Sequence, residues 1–338
     1  MKRIMVTGGA GFIGSHTVVE LVNAGYEPVI IDNFSNSDKR VLAGLKQILG
    51  FEPIFFEADC TDKESMRRIF LDVKPQSVIH FAAFKSVNES VEQPLRYFRN
   101  NMVSLLVVLE LMQEYGISDL VFSSSCTVYG QPETNPVTED TTIQEAASPY
   151  GFSKQVGEQL IKDHHKADKH FTSVMLRYFN PVGAHPTGLI GELPFGVPNN
   201  LVPFITQTAA GLRDQLTIFG DDYGTPDGTC IRDFIHVVDL ARAHVKALDF
   251  MQRNKHCCEV FNLGQGRGNS VLEAVKKFVT VTGVQLNYRI GARRSGDIEQ
   301  VWADSTKSNQ ILGWKTDLSL EDALRDAWNW QLKLAEGN

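Results

Sequence analysis

Arg3-Ile4-Met5-Val6-Thr7-Gly8-Gly9-Ala10-Gly11-Phe12-Ile13-Gly14 takes the chain from an apolar run through a glycine-rich turn into a helical pattern. Arg3–Val6 reads as a short buried strand and Phe12–Asn23 as a helix. Gly8, Gly11 and Gly14 stand three apart between the two. Glycines let the backbone turn tightly and approach a pyrophosphate, whose charge faces the helix N-terminus. Gly14 lets that helix lie close to the sheet. The spacing is G-x-x-G-x-x-G rather than the commoner G-x-G-x-x-G. Its position between a strand and a helix is the context a dinucleotide turn requires.

Asp32 stands 18 residues after Gly14 and closes a second predicted strand, Pro28–Ile31. An acid there accepts bonds from adenine ribose hydroxyls and repels a 2′-phosphate, which favours NAD over NADP. Its alternative role is a cap in the turn Asp32-Asn33-Phe34-Ser35-Asn36. Asp59, just past a third strand, is suited to the adenine edge or to capping the helix that begins near Asp62.

Further apolar runs follow at Pro53–Phe56, Ser77–Phe81, Leu120–Ser124 and Thr172–Arg177, with helical stretches between them. Short apolar strands alternating with helices imply a parallel sheet covered on both faces. The fold class is therefore α/β: a Rossmann-type doubly wound parallel sheet with a smaller mixed α/β substrate domain. After Asn180 the texture changes to Gly, Pro and Asn, with one clear helix near Leu201–Gly211. Strand patterns return at Asp233–Val237 and Val260–Leu263, around a helix at Val238–Met251. The chain should thus leave the sheet, return and leave again. Residues 1–180 with about 233–263 form the dinucleotide domain, and 181–232 with 264–338 the substrate domain.

The 338 residues are 43% hydrophobic, enough for a sizeable core, and carry a net charge of −7. There is no basic block or zinc spacing, so nucleic acid is not an expected partner. No apolar run reaches membrane-spanning length. Five cysteines, two of them adjacent, do not suit a disulfide framework and fit a reducing cytoplasm. The N-terminus runs straight into a strand, which argues against a signal peptide.

Ser148-Pro149-Tyr150-Gly151-Phe152-Ser153-Lys154 is the candidate catalytic stretch. Ser148 suits an N-cap and Pro149 the first helical turn. Tyr150 and Lys154 then share a helix face. Ionising a phenol near neutrality costs about 4 kcal/mol. A cation about 4 Å away at an effective dielectric of about 20 offsets roughly that much. The bland alternative is a helix start with a surface Tyr and Lys. The dinucleotide site upstream favours the catalytic reading.

Thr7–Gly14, Ser123-Ser124-Ser125 and Tyr150…Lys154 together resemble the extended short-chain dehydrogenase/reductase family. The likeness is closest to its nucleotide-sugar 4-epimerases. It extends through Asp32-Asn33, His80–Ala83, Asn100-Asn101, Leu176–His185, Pro198–Leu201, Gly228–Val237, Arg293–Asp297 and Trp302–Asp304, in order over nearly the whole chain. The resemblance implies NAD as cofactor and a UDP-hexose as substrate. It implies that Tyr150 is the acid/base on the sugar 4-hydroxyl, that Lys154 lowers its pKa and holds the nicotinamide ribose, and that Ser125 bonds the same sugar oxygen. Gly8, Gly11, Phe12, Ile13, Gly14, Asp32, Asn33, Asn36, Ser37, Asp59, Cys60, Phe81, Ala82, Lys85, Asn100 and Phe179 would line the cofactor. Asn180, Asn200, Leu201, Phe219, Arg232, Arg294, Asp297 and Val301 would surround the substrate. Guanidinium forks suit a diphosphate. The resemblance implies a homodimer formed through the helices around Val103–Met112 and Phe152–His165.

A 4,6-dehydratase on the same fold is the nearest rival. In that family pattern an acid follows the catalytic Ser/Thr, whereas here Ser125 is followed by Cys126 and Thr127. A non-catalytic NAD-binding regulator is the rival from another class, and it usually loses the Tyr or the Lys. At Val301, family members restricted to plain hexoses carry a tyrosine. Valine leaves room for an N-acetyl group, unless neighbours refill it. The cysteines and His80 and His236 read as structural, and no metal is expected.

Overall fold

A computed structural model describes residues 1–294 and 297–336 of the chain. In chain order the strands are β1 Arg3–Thr7, β2 Glu27–Asp32, β3 Ile54–Glu57, β4 Ser77–His80, β5 Asp119–Ser125, β6 Thr172–Tyr178, β7 Asn180–Val182, β8 Leu216–Phe219, β9 Ile231–Arg232, β10 Phe234–His236, β11 Cys258–Leu263, β12 Asn269–Ser270, β13 Tyr288–Gly291 and β14 Gln300–Val301. The helices are α1 Phe12–Asn23, α2 Arg40–Leu49, α3 Lys63–Val73, α4 Val87–Glu92, α5 Pro94–Tyr115, α6 Pro149–Ala167, α7 Leu201–Ala209, α8 Val237–Arg253, α9 Val271–Thr282 and α10 Leu320–Glu336.

Seven strands form one parallel sheet in the order β11-β6-β5-β4-β1-β2-β3. The alternation of side chains explains why both faces are apolar. Ile4, Val6, Ile30, Ile79, Val121 and Val174 face one layer with Val18 and Leu21 of α1 and Leu240 and Met251 of α8. Met5, Val29, Ile31, Val78, Leu120 and Met175 face the opposite layer with Phe70 of α3, Val108 of α5 and Ile161 of α6. Burying both faces leaves the strand ends as the places for polar groups. The strand order reverses at β1 and β4, and ligands of such sheets bind at the carboxyl ends near that switch point.

The returning strand differs from expectation. Phe234–His236 does not enter the large sheet but pairs with Asn180–Val182 in a separate two-stranded one. The strand that does return is Cys258–Leu263, alongside β6. β7 starts only two residues beyond β6 and turns away from the sheet. β10 follows it, while α8 between β10 and β11 supplies the crossover needed to reach the sheet edge.

A further apolar cluster joins Val202 and Ile205 of α7, Ile218 of β8, Phe234 of β10, Phe278 of α9 and Leu324 of α10. These later elements are held by small sheets, β12-β9-β14 and β13-β8. Among the described residues no helix is long and apolar enough to cross a membrane. Nor does any group of three His, Cys, Asp or Glu among them suit a metal ion.

Candidate active site

The glycine turn is tight for a stated reason. Gly8 has φ +70°, and a Cβ on it would sit 2.8 Å from the Ala82 backbone nitrogen. A Cβ on Gly14 would lie 2.3 Å from the Gly8 carbonyl oxygen. Gly11 is the N-cap of α1 and has no side chain to satisfy the first-turn N–H groups. Phe12, Ile13 and Gly14 border the cleft, so those donors and the positive helix end suit an anion there.

A cavity of ≈ 600 Å³ opens along the strand ends. That volume lies in the range of small-molecule and cofactor sites. All the residues expected along the cofactor line it: Gly8, Gly11, Phe12, Ile13, Gly14, Asp32, Asn33, Asn36, Ser37, Asp59, Cys60, Phe81, Ala82, Lys85, Asn100 and Phe179. Ser125, Tyr150, Lys154 and Asn200 line it too. The Asp32 carboxylate accepts from the Ala10 N–H at 3.0 Å, the Phe34 N–H at 2.9 Å and the Ser37 hydroxyl at 2.8 Å. It therefore joins the glycine turn to the loop after β2. Asp59 does not cap the helix. Asp62 does so through the N–H groups of Glu64 and Ser65, while Asp59 accepts from Asn33 and Thr61. The glycine cradle, uncapped helix end and Asp32 fit a dinucleotide.

Ser148 caps α6, accepting from the Gly151 N–H at 3.1 Å, with Pro149 in the first turn. Tyr150 and Lys154 project from this helix to the same cavity wall. Their electrostatics differ from expectation. The Lys154 ammonium donates to the Ser123 carbonyl oxygen at 2.5 Å and lies 5.9 Å from the Tyr150 ring centroid. Burial pushes the Tyr150 phenol up to about 12, while the adjacent Ser125 hydroxyl acts in the opposite direction. Burial pushes Lys154 down to about 7, and Glu158 opposes that fall. The expected lowering by Lys154 thus does not appear in these protein groups alone. Desolvation sets the direction, and the lysine's charge is anchored on a carbonyl instead of on the phenol.

Phe219, Arg232, Arg294, Asp297 and Val301 form a second group outside that cavity lining. Arg294 donates to Asp297 at 2.7 Å, and an Arg232 nitrogen lies 3.9 Å from the same carboxylate oxygen. The Arg294 guanidinium lies 5.6 Å from the Phe219 ring centroid. Val301 pairs in register with Arg232 across β14 and β9. It is buried in one cluster with Val128, Tyr129, Val137, Phe179 and Ala303, against which Cys126 packs. Phe179 borders the cavity and Cys126 follows Ser125, so this cluster joins the two groups. Asn180 and Leu201 flank cavity-lining neighbours, and the Asn180 Oδ1 is buried without a partner.

His80 and His236 have structural partners. Thr7 Oγ1 meets His80 Nδ1 at 2.8 Å, and His236 meets the Val238 N–H and Asp326. Sequence reasoning missed Glu192, whose carboxylate accepts from both Lys85 at 2.9 Å and Asn200 at 2.6 Å. It sits in a Gly/Pro/Asn-rich stretch with no local signal. Tyr178 was also missed. It lines the cavity with its hydroxyl 2.5 Å from His244 Nε2. Its place at the carboxyl end of β6, opposite Ser125, was the available signal.

The family model described as GDP-mannose 4,6 dehydratase matches residues 5–327. The UDP-glucose 4-epimerase of Bacillus subtilis (strain 168) is 49% identical over 334 residues, covering 99% of this chain and 98% of that protein. Two solved structures, each 100% covered and covering 100% of this chain, are similar throughout. The UDP-glucose 4-epimerase of Stenotrophomonas maltophila, with bound NAD and formylated UDP-arabinopyranose, superposes with a TM-score of 0.97 at 45% identity. That of Bifidobacterium longum, in complex with NAD+ and UDP, does so at 0.96 and 44%.

Proposed function

The chain belongs to the UDP-glucose 4-epimerase family, and on that premise we propose the residue roles that follow. The activity is the reversible interconversion of UDP-galactose and UDP-glucose through a 4-keto intermediate, an isomerisation that uses NAD. The observation that carries the assignment is that Tyr150, Lys154 and Ser125 border the same cavity as the glycine turn and Asp32. When bound, NAD would supply the hydride acceptor and donor for C4 and a further positive charge to the cleft.

Tyr150 takes the proton from the sugar 4-hydroxyl and later returns it to O4, once the turned 4-keto sugar presents the opposite face of C4 to the hydride. Its phenol lies above the ordinary range, so ionisation needs added positive charge nearby. Lys154, fixed on the Ser123 carbonyl, would add to that charge and hold the nicotinamide ribose. Ser125 donates to the sugar oxygen while charge builds on it. Arg232 and Arg294, spaced by Asp297, hold the diphosphate with Phe219 at the uracil end. Asn180, Asn200 and Leu201 complete the nucleotide grip. The hexose must turn about its phosphate linkage, so the strong contacts belong at the nucleotide end and few at the ring.

Dehydration across C5 and C6 lacks its acid, because Cys126 and Thr127 follow Ser125. With valine in place of a tyrosine at Val301, UDP-N-acetylhexosamines are candidate further substrates, although Val128, Tyr129, Val137, Phe179 and Ala303 pack around that side chain. Comparable rates with UDP-GalNAc and UDP-galactose support this, and no turnover of UDP-GalNAc ends it. We assign residues 1–180 with about 233–263 to NAD and the rest to the UDP-sugar. A homodimer through α5 and α6 is supported by the exposed Leu106 and Phe152 on those helices. Five free cysteines support a cytoplasmic setting.

The test is isotopic. UDP-galactose deuterated at C4 should yield UDP-glucose with the label still on C4. Label lost to water would contradict hydride return within one site.

A further inference from the structure

Beneath the catalytic groups lies a buried ion pair that the mechanism so far does not use. Glu158 stands one turn beyond Lys154 on α6 and is 1% exposed. Its Oε1 accepts from the Ser124 hydroxyl at 2.6 Å and from Arg177 Nε at 2.8 Å. Its Oε2 accepts from Arg177 Nη2 at 2.7 Å, with Lys162 Nζ at 3.4 Å. Ser124 directly precedes Ser125. Arg177 on β6 directly precedes Tyr178 and Phe179, which border the cavity. Arg177 also donates to the Tyr129 hydroxyl at 2.9 Å, and Tyr129 donates to Asn262 on β11 at 2.6 Å. Tyr129 ends the short helical turn that begins at Cys126, immediately after Ser125. One carboxylate is therefore bonded into each segment that presents a reacting group.

We propose that Glu158 is a positioning residue for epimerisation: it fixes Tyr150 and Lys154 on α6 against Ser125 on β5 and keeps an anion one turn from the Lys154 ammonium. This inference rests on the catalytic roles assigned above.

Stability alone is a weak reason for such a pair. Desolvating two ions offsets most of their attraction, and well-packed apolar replacements are often neutral or stabilising. The charged and titratable groups around the pair make the electrostatic role specific. On α6 these are Tyr150, Lys154 and Lys162. Around them stand Arg177 and Tyr178 from β6, Cys126 and Tyr129 from the turn after β5, Glu139 beyond that turn, Cys258 from β11 and, within reach of the Lys154 charge, His80 from β4. The His80 ring is held neutral by burial. Of these, Glu158 is the group that raises Lys154 against the fall caused by burial. Removing its charge lowers the Lys154 pKa further and shifts the lysine toward its neutral form. The phenol then loses that cation and ionises only at higher pH.

The experiment measures kcat and KM for UDP-galactose from pH 6 to 10 in holoenzymes of wild type, Glu158→Gln, Glu158→Asp and Glu158→Gln/Arg177→Met. The double variant removes both charges and so keeps the fold testable if Glu158→Gln alone unfolds. In the uncharged variants kcat should fall about 10–100-fold at pH 7, with KM changed less than about threefold. The acid limb of kcat should move up by about one pH unit or more. Glu158→Asp keeps the charge, so its limb should stay with wild type even where kcat drops. A folded double variant with wild-type kcat and an unmoved limb would overturn the proposal and leave the pair purely structural. Tyr150→Phe run beside it separates the two readings. If that variant turns over normally, the catalytic assignment itself fails, and the inference with it.

Discussion

The two ends of the cleft are built in opposite ways. At the dinucleotide end the groups follow successive strands of one parallel sheet: Thr7–Gly14 after β1, Asp32 at the end of β2, Asp59 after β3 and Phe81 after β4. At the proposed UDP end they come from five separate stretches, around Asn180, Asn200, Phe219, Arg232 and Arg294 to Val301, on or beside short strands and at the start of α7. There, side-chain pairs such as Arg294–Asp297 do the holding that sheet register does at the other end. A parallel sheet offers a row of aligned, buried strand ends, so a dinucleotide site can be encoded locally. The proposed diphosphate grip, which must let the sugar turn, draws on separate pieces around it.

The largest effect tests whether chemistry belongs to the sheet side. Tyr150→Phe should lower turnover by about 10²–10⁴-fold while retaining NAD. Near-normal turnover would remove the base from α6. The next test concerns the separation itself. Arg232→Met should raise KM for UDP-galactose about 10–100-fold, the loss of a charge-assisted hydrogen bond, with NAD content unchanged. Loss of NAD as well would mean that the two ends are one cooperative unit.

A third test compares the regions by acid. His16 in α1 and His80 in β4 are held near 3 by burial, and His244 in α8 near 4. All three belong to the sheet or the helices packed on it. Their folded pKa values lie below the unfolded value of about 6.5, so the unfolded chain binds more protons between about 4 and 6.5. Stability should therefore be lost as pH falls below 6.5, by about 1.4 kcal/mol per histidine at pH 5.5. Urea midpoints at pH 7.5 and 5.5 measure it. His80→Asn, which preserves a partner for Thr7, should remove one such increment, and an unchanged difference would contradict the assignment. The smallest effect is at Asp32. Asp32→Ser should weaken discrimination against NADP by roughly fivefold, the loss of one screened like-charge repulsion. Unchanged discrimination would mean that another group reads the ribose.

The same contrast governs what was legible in the sequence. The glycine turn, Asp32 and the capped helix at Ser148 were readable because strand, turn and helix signals adjoin each other. All the expected cofactor residues border one cavity for that reason. β10 was misassigned to the large sheet because Phe234–His236 is apolar enough for a buried strand, and its pairing with β7 is a long-range choice. Glu192 had no local pattern and acquires its meaning only where Lys85 meets Asn200. The Tyr150–Lys154 spacing was readable, but the balance of charge and burial was not. That balance depends on burial and on the Ser123 carbonyl, which only packing brings to the lysine, against Glu158 one turn along the same helix.

The central claim is that one cleft carries both the cofactor and the proton-transfer groups of an inversion at C4. The most direct measurement incubates the purified protein with UDP-galactose, adds no cofactor and follows the sugar by proton NMR. UDP-glucose accumulating to a stable equilibrium is the predicted result. A deoxy-sugar methyl signal, or no conversion even after NAD is supplied, would contradict it.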